Sequence, residues 1–218
     1  MRVGIYVDGF NYYYAVFRDP KRPYTANKWL DIRKLAEAIA NEHGSPGTCA
    51  IARYCTAIVN DPPYDPTRSH RQRTYLDALA SLPEVQVHIG THVSVTKWGV
   101  PLSTPNAPPI AFRTREEKGS DVSLGSCLVR DAALGEFDLG IVVSNDSDLK
   151  DAVRIARVDF KRRLLVICPH QNRPMSVALR QASNKKNFRL NLGHLPHCQL
   201  PNPVVTTEGR MIRKPASW

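Results

Sequence analysis

The run Leu139-Gly140-Ile141-Val142-Val143-Ser144-Asn145-Asp146-Ser147-Asp148-Leu149 holds a strand, a loop and a helix start in one piece. Its first five residues carry no polar side chain, two acids follow in the loop, and helical spacing begins over Asp148–Arg157. A strand without polar/apolar alternation is buried on both faces, which is the habit of parallel sheets covered by helices. Upstream, Arg2–Val7 reads the same way and stops at Asp8, and Cys49–Val59 is a third apolar run closed by the turn Asn60-Asp61-Pro62-Pro63. Downstream, Arg163–Cys168 is a fourth, ended by Pro169.

Helical stripes alternate with these runs. Asp31–Glu42 spaces Ile32, Leu35, Ala36 and Ile39 on one face, and Pro66–Leu82 does so with Tyr75, Leu76, Leu79 and Leu82. Asp121–Leu134 repeats the pattern with Leu124, Leu128 and Ala132, and Met175–Ala182 predicts a last short helix. Val85–Val95 alternates as a strand, Val100–Pro109 is a proline-rich loop, and Ile110–Arg115 is a short strand. Strands alternating with helices predict an α/β fold with a mostly parallel central sheet flanked by helices. Residues 1–192 form that domain. From Gly193 prolines and polar residues predict an extended, basic C-terminal tail over 193–218, whose Met211, Ile212 and Trp218 are candidates for packing on a second copy of the chain.

The 218 residues are 42% hydrophobic and 23% charged, an ordinary globular composition. No apolar run is long enough to span a bilayer and no signal peptide is legible, so a cytoplasmic protein is expected. Five cysteines without a C-x-x-C pair argue against a disulfide framework or a zinc ribbon. The net charge of +10 is lopsided: residues 1–160 hold 19 basic and 19 acidic side chains, whereas residues 160–218 hold 11 basic ones against Glu208 alone. Such an asymmetry attracts a polyanion, nucleic acid first.

In a parallel sheet the ligand site lies beyond the carboxyl ends of the strands. Asp8 ends the first strand, Asp146 and Asp148 follow Leu139–Val143, and Asp121 opens a helix, so the topology gathers acids at one edge. No basic residue is interleaved in Val7–Asn11 or Val143–Asp148. Carboxylates brought together raise one another's pKa unless a cation sits among them. Oxygen-only ligation suits Mg²⁺ or Mn²⁺, and one or two such ions hold a phosphodiester and activate water. The competing explanation is helix capping, since each acid precedes or starts a helix. Capping explains any one of them better than it explains two in Asn145–Asp148 or the acid at the end of a buried strand. Asp131 and Asp138 read as surface or capping acids.

Val7-Asp8-Gly9-Phe10-Asn11, then Glu117-Lys118-Gly119-Ser120-Asp121-Val122, then Val143-Ser144-Asn145-Asp146-Ser147-Asp148-Leu149, in that order, resemble the NYN domain family, relatives of PIN-domain nucleases also grouped with LabA-type proteins. The resemblance covers about residues 1–170 and implies a three-layer, PIN-like and Rossmann-like domain, an acidic metal site and endoribonuclease-type activity on RNA. It implies Asp8, Asp121 and Asp146 as metal-binding acids, Asp148 as a further acid or a support, and Asn11 as the residue that positions Asp8 or the phosphate. Ser144 and Asn145 would shape the loop. In one departure, Cys127 stands six positions after Asp121, where many members carry a second acid. That departure keeps a non-catalytic RNA-binding or regulatory member as the alternative.

Other candidates for holding RNA are Lys118, three residues before Asp121, the tyrosines of Asn11-Tyr12-Tyr13-Tyr14, where Tyr12 and its neighbours stack on bases or pack a helix, and Arg71 with Arg68 and Arg73. His194, His197 and Cys198 lack a second ligand pair for zinc. A haloacid-dehalogenase-type phosphatase needs an acid where Phe10 stands, and Val3–Asn11 lacks the glycine-rich turn of a dinucleotide site.

Overall fold

The computed structural model describes residues 1–17 and 26–218. Its seven-stranded sheet is built from β1 (Arg2–Asp8), β2 (Thr48–Ala57), β3 (Val85–Gly99), β4 (Ile110–Lys118), β5 (Leu139–Val143), β6 (Arg163–Cys168) and β7 (Asn187–Arg189), in the order β4-β3-β2-β1-β5-β6-β7. Every pairing is parallel except β3 with β4. β1 and β5 are buried along nearly their whole length, as expected for strands covered on both faces. The direction of winding reverses between β1 and β5, and a ligand crevice belongs at their carboxyl ends.

Helices α1 (Gly9–Phe17), α2 (Ile32–Glu42) and α3 (Arg68–Ala80) cover one face, with Tyr12, Ile32, Leu35 and Leu79 packed on Val3, Ile5 and Val7. Helices α4 (Ser120–Leu134), α5 (Lys150–Val158) and α6 (Val177–Ala182) cover the other, with Leu124, Leu128, Val153 and Leu179 packed around Tyr6, Val142 and Val166. Alternation along β1 therefore sends Tyr6 to the α4 side and its neighbours Ile5 and Val7 to the other.

Two expectations are corrected. The segment after Gly193 is not an extended tail. A 3₁₀ turn at Leu192–His197 and a small hairpin, β8 (Val204–Val205) with β9 (Met211–Ile212), fold it back onto the α2 side. There Leu195, Cys198, Leu200, Val204 and Ile212 are buried in the main core. Leu200 N donates to Trp29 O at 2.8 Å, Trp29 Nε1 to Pro201 O at 2.9 Å, and Trp218 packs its ring on Tyr75. Prolines mark turns but leave the apolar residues between them free to be buried. Ile212 and Trp218 thus pack within their own chain, and Met211 remains exposed.

Asp131, read as a surface acid, is instead buried beneath α4. It accepts from Arg53 Nε at 2.9 Å, from the Tyr6 hydroxyl at 3.1 Å and from Arg130 Nη2 at 2.8 Å. Asp138 is a surface acid as expected, paired with Arg2 at 2.8 Å.

Candidate active site

Asp8 is the last residue of β1, and its carboxylate is almost fully buried on the α4 side. Two donors hold it. Asn11 N, in the first turn of α1, donates to Oδ1 at 3.0 Å, and the Ser144 hydroxyl donates to Oδ2 at 2.9 Å. Ser144 Oγ in turn accepts from Asp146 N at 3.0 Å, and Asn11 Oδ1 accepts from Asn145 N at 3.1 Å. The ends of β1 and β5 are thereby laced together across the crevice. Asn145 extends the lacing outward, donating to Pro174 O and accepting from Ser176 N.

Capping is part of the picture. Asp8 caps the start of α1 through Asn11 N, and Asp146 caps the turn at Ser147–Leu149, accepting from Asp148 N at 2.9 Å. Asp121 does something else. The cap of α4 is Gly119, at a positive φ of 101°, and the donors of the first turn are met by Glu117, whose carboxylate accepts from Ser120 N and Oγ. The half-buried Asp121 carboxylate makes no hydrogen bond or ion pair among the described residues.

Burial and then Asp8, Asp146, Glu117 and Asp148 push the Asp121 carboxyl up to about 6. Burial also raises Asp8, with Asp146 and Glu117 adding to it, while the Asn11 and Ser144 hydrogen bonds pull the other way. Among the described residues no cation is prominent in the field of either acid. Asp148 is exposed at the lip.

A strand ending at Arg115 gives Glu117 no place in the site. The strand runs on to Lys118, and its alternation aims Glu117 at the start of α4. Gly90 on β3 makes the room, since a Cβ there would collide with Glu117 Oε1.

The remaining candidates divide. Lys118 lines an open groove of about 710 Å³ with Glu117, Asp121, Arg130 and Asp148, but its ammonium is paired with Glu116 at 2.8 Å. Tyr12 is buried in the core and offers no face to a base, whereas Tyr14 is exposed. Arg71 binds Asp65 at 2.5 Å on the α1 side of the sheet, where it lines a different cavity. Cys127 is buried on α4 with Sγ 3.4 Å from His88 Nε2, and it brings no acid to the crevice.

Among the described residues no three His, Cys, Asp or Glu side chains close around a single point as a ready-made metal cage. The donor chemistry nevertheless fits a hard divalent ion. Mg²⁺ keeps several waters and takes one or two carboxylates directly, and a half-buried carboxylate without partner, surrounded by acids, is what such an ion neutralises. The carboxylate oxygens available at this edge are those of Asp8 and Asp121, with Asp146 beside them.

No helix among the described residues is long and apolar enough to cross a membrane. The chain is 29% identical over 242 residues to a Pseudomonas putida protein named 6-hydroxy-3-succinoylpyridine 3-monooxygenase HspA, covering 100% of this chain and 75% of that one. A solved structure of a protein of unknown function from Vibrio parahaemolyticus is similar with a TM-score of 0.49 at 17% identity, covering 87% of this chain and 93% of the other. The NYN domain model matches residues 2–188, a span that includes every acid of the crevice. The protein belongs to the NYN domain family, a family of nuclease-type domains.

Proposed function

We propose that the protein is a metal-dependent ribonuclease that hydrolyses RNA phosphodiester bonds endonucleolytically at the carboxyl edge of its sheet. The observation that carries the reading is the partnerless Asp121 carboxylate, raised to about 6 by burial and four neighbouring acids. Asp8, Asp121 and Asp146 hold Mg²⁺ or Mn²⁺, which when bound supplies Lewis acidity toward a phosphodiester oxygen and toward water. Asn11 and Ser144 fix the Asp8 carboxylate and the loop after β5, so that the acids keep their spacing when substrate arrives. Asp148 and Glu117 add negative charge that favours the ion, Lys118 and Asn145 border the substrate path, and the fully buried Ser144 acts behind it through Asp8. The five cysteines are buried and free, which suits the reducing cytoplasm.

Labelled single-stranded RNA incubated with the pure protein tests this. Cleavage with Mn²⁺, none with EDTA, and none by Asp8→Asn or Asp121→Asn is the expected result. Metal-independent cutting, or equal cutting by either variant, would overturn the reading. RNA binding without cutting by the wild type would leave a non-catalytic RNA-binding member, the reading favoured by Cys127.

A further reading takes its cue from the relative named as a monooxygenase. On the α1 side, Tyr12, Tyr13, Tyr54, Tyr75 and Trp218 line a cavity bordered by Lys28 and Arg68, a lining suited to a small aromatic acid. The cavity measures about 40 Å³, far below the roughly 300 Å³ of the smallest ordinary ligand pockets, so Trp218 would have to move before an aromatic ring could enter. That ranks it second. Hydroxylation of 6-hydroxy-3-succinoylpyridine in the presence of dioxygen and a reduced nicotinamide would promote it.

A further inference from the structure

β3 outruns the sheet. Its first half, Val85–Gly90, pairs with β2, but Thr91–Gly99 pairs with β4 alone, so the hairpin projects past the end of β2 for about 30 Å. It leaves on the carboxyl side, where the acids lie. Residues paired across an antiparallel ladder share a face, and alternate pairs share the same one. The register His92↔Glu117, Ser94↔Arg115, Thr96↔Arg113, Trp98↔Ala111 therefore puts Glu117, Arg115, Arg113 and Trp98 on one face, in order outward from the acid cluster.

The two faces handle charge differently. On the opposite face, Lys97 and Lys118 are both paired with Glu116, which lies between them. On the Glu117 face, Arg115 reaches only the amide oxygen of Asn60, and neither Arg115 nor Arg113 meets a carboxylate among the described residues. Both arginines are exposed, and Trp98 is 71% exposed. Steps of two residues separate Arg115 from Arg113 by roughly 7 Å. That step is comparable to the distance between successive phosphates of an extended single strand.

We propose that this face of the β3–β4 hairpin is a single-strand track, on which Arg115 and Arg113 take successive RNA phosphates and Trp98 stacks on an unpaired base. The inference rests on the ribonuclease reading for the identity of the strand, and it extends the substrate path away from the acids. It also explains how a site rich in carboxylates holds a polyanion: the attraction comes from the adjoining arm. Stacking tolerates any base and backbone contacts carry no sequence information, so the track binds without sequence preference.

The test measures binding of a fluorescent twelve-nucleotide RNA to the full chain in EDTA, where binding is read apart from cleavage. Arg113→Ala with Arg115→Ala is expected to lower affinity and to reduce the salt slope of log K by about 1.4, at roughly 0.7 per phosphate contact. Trp98→Ala is expected to lower affinity about 5- to 150-fold with the slope unchanged. Phe112→Ala, on the other face, is expected to leave both alone, and all variants keep the wild-type melting temperature. Unaltered binding by the Arg and Trp variants, no binding by the wild type, or an altered oligomeric state in place of altered binding would overturn the track. Wild-type binding with these dependences but no cleavage with Mn²⁺ would support the track and fail the nuclease reading, so the two are separable.

Discussion

Ser144 donates its hydroxyl to Asp8 Oδ2 at 2.9 Å, joining the loop after β5 to the last residue of β1 across the point where the sheet reverses its winding. Ser144 Oγ also accepts from Asp146 N, so one small side chain sets the separation of two acids. Ser144→Ala removes both bonds and one of the two donors that favour the charged form of Asp8. Residues that hold metal ligands in place typically matter 10- to 100-fold for metal affinity. Mn²⁺ affinity, followed by calorimetry, is expected to fall by about 10-fold with the fold intact.

Asp131 predicts a different phenotype. Arg53, itself buried, has its guanidinium on that carboxylate, and Tyr6 donates to it from the central strand. Removing one partner of a buried pair leaves the other charge unpaired, at a cost of about 3–5 kcal/mol. Asp131→Ala is expected to lower the urea midpoint by that equivalent, unlike the acids of the crevice. An unshifted midpoint would show that water reaches Arg53 and substitutes for the carboxylate.

The sequence made the layered sheet legible because its buried strands are uninterrupted apolar runs. Leu139–Val143 and Arg163–Cys168 fall on the residues expected, and α2, α3 and α4 fall within two residues of theirs. Asp8, Asp121, Asp146 and Asp148 could be found because each ends a strand or opens a helix. Glu117 and Asp131 could not, since their roles depend on partners far along the chain. Glu117 is set by the length of β4, which cross-strand pairing with β3 decides, and Asp131 by Arg53, 78 residues away. Short β7, whose three residues carry no pattern of their own, was invisible for the same reason.

The C-terminal segment sharpens that lesson into a stability prediction. Leu195, Leu200, Val204 and Ile212 are buried against the α2 side of the core, and each such side chain contributes about 1.5–3 kcal/mol when removed from water. Their sum rivals the 5–15 kcal/mol by which a whole domain is stable. A chain ended after residue 192 is therefore expected to lose its cooperative thermal transition and to bind a hydrophobic dye. A sharp transition within a few degrees of the full chain would show the segment to be dispensable.

Asp121 couples the crevice to pH. Its folded pKa of about 6 lies above the ordinary carboxylate value of 3.8. Between those values the folded chain holds a proton that the unfolded chain has lost, so stability declines as pH rises through the window and stays lower above it. Two units would amount to about 2.7 kcal/mol for a fully buried group, and solvent screening of this half-exposed carboxylate reduces that to about 1 kcal/mol. Asp121→Asn is accordingly expected to melt about 2–4 °C higher than the wild type at pH 7.5. At pH 4, where the wild-type carboxyl is protonated, the two should melt alike. Mn²⁺ relieves the same repulsion, so it should raise the melting temperature of the wild type at pH 7.5 and do much less for the variant. Equal melting temperatures at both pH values, or an equal response to Mn²⁺, would mean that Asp121 does not sit in the field of the other acids.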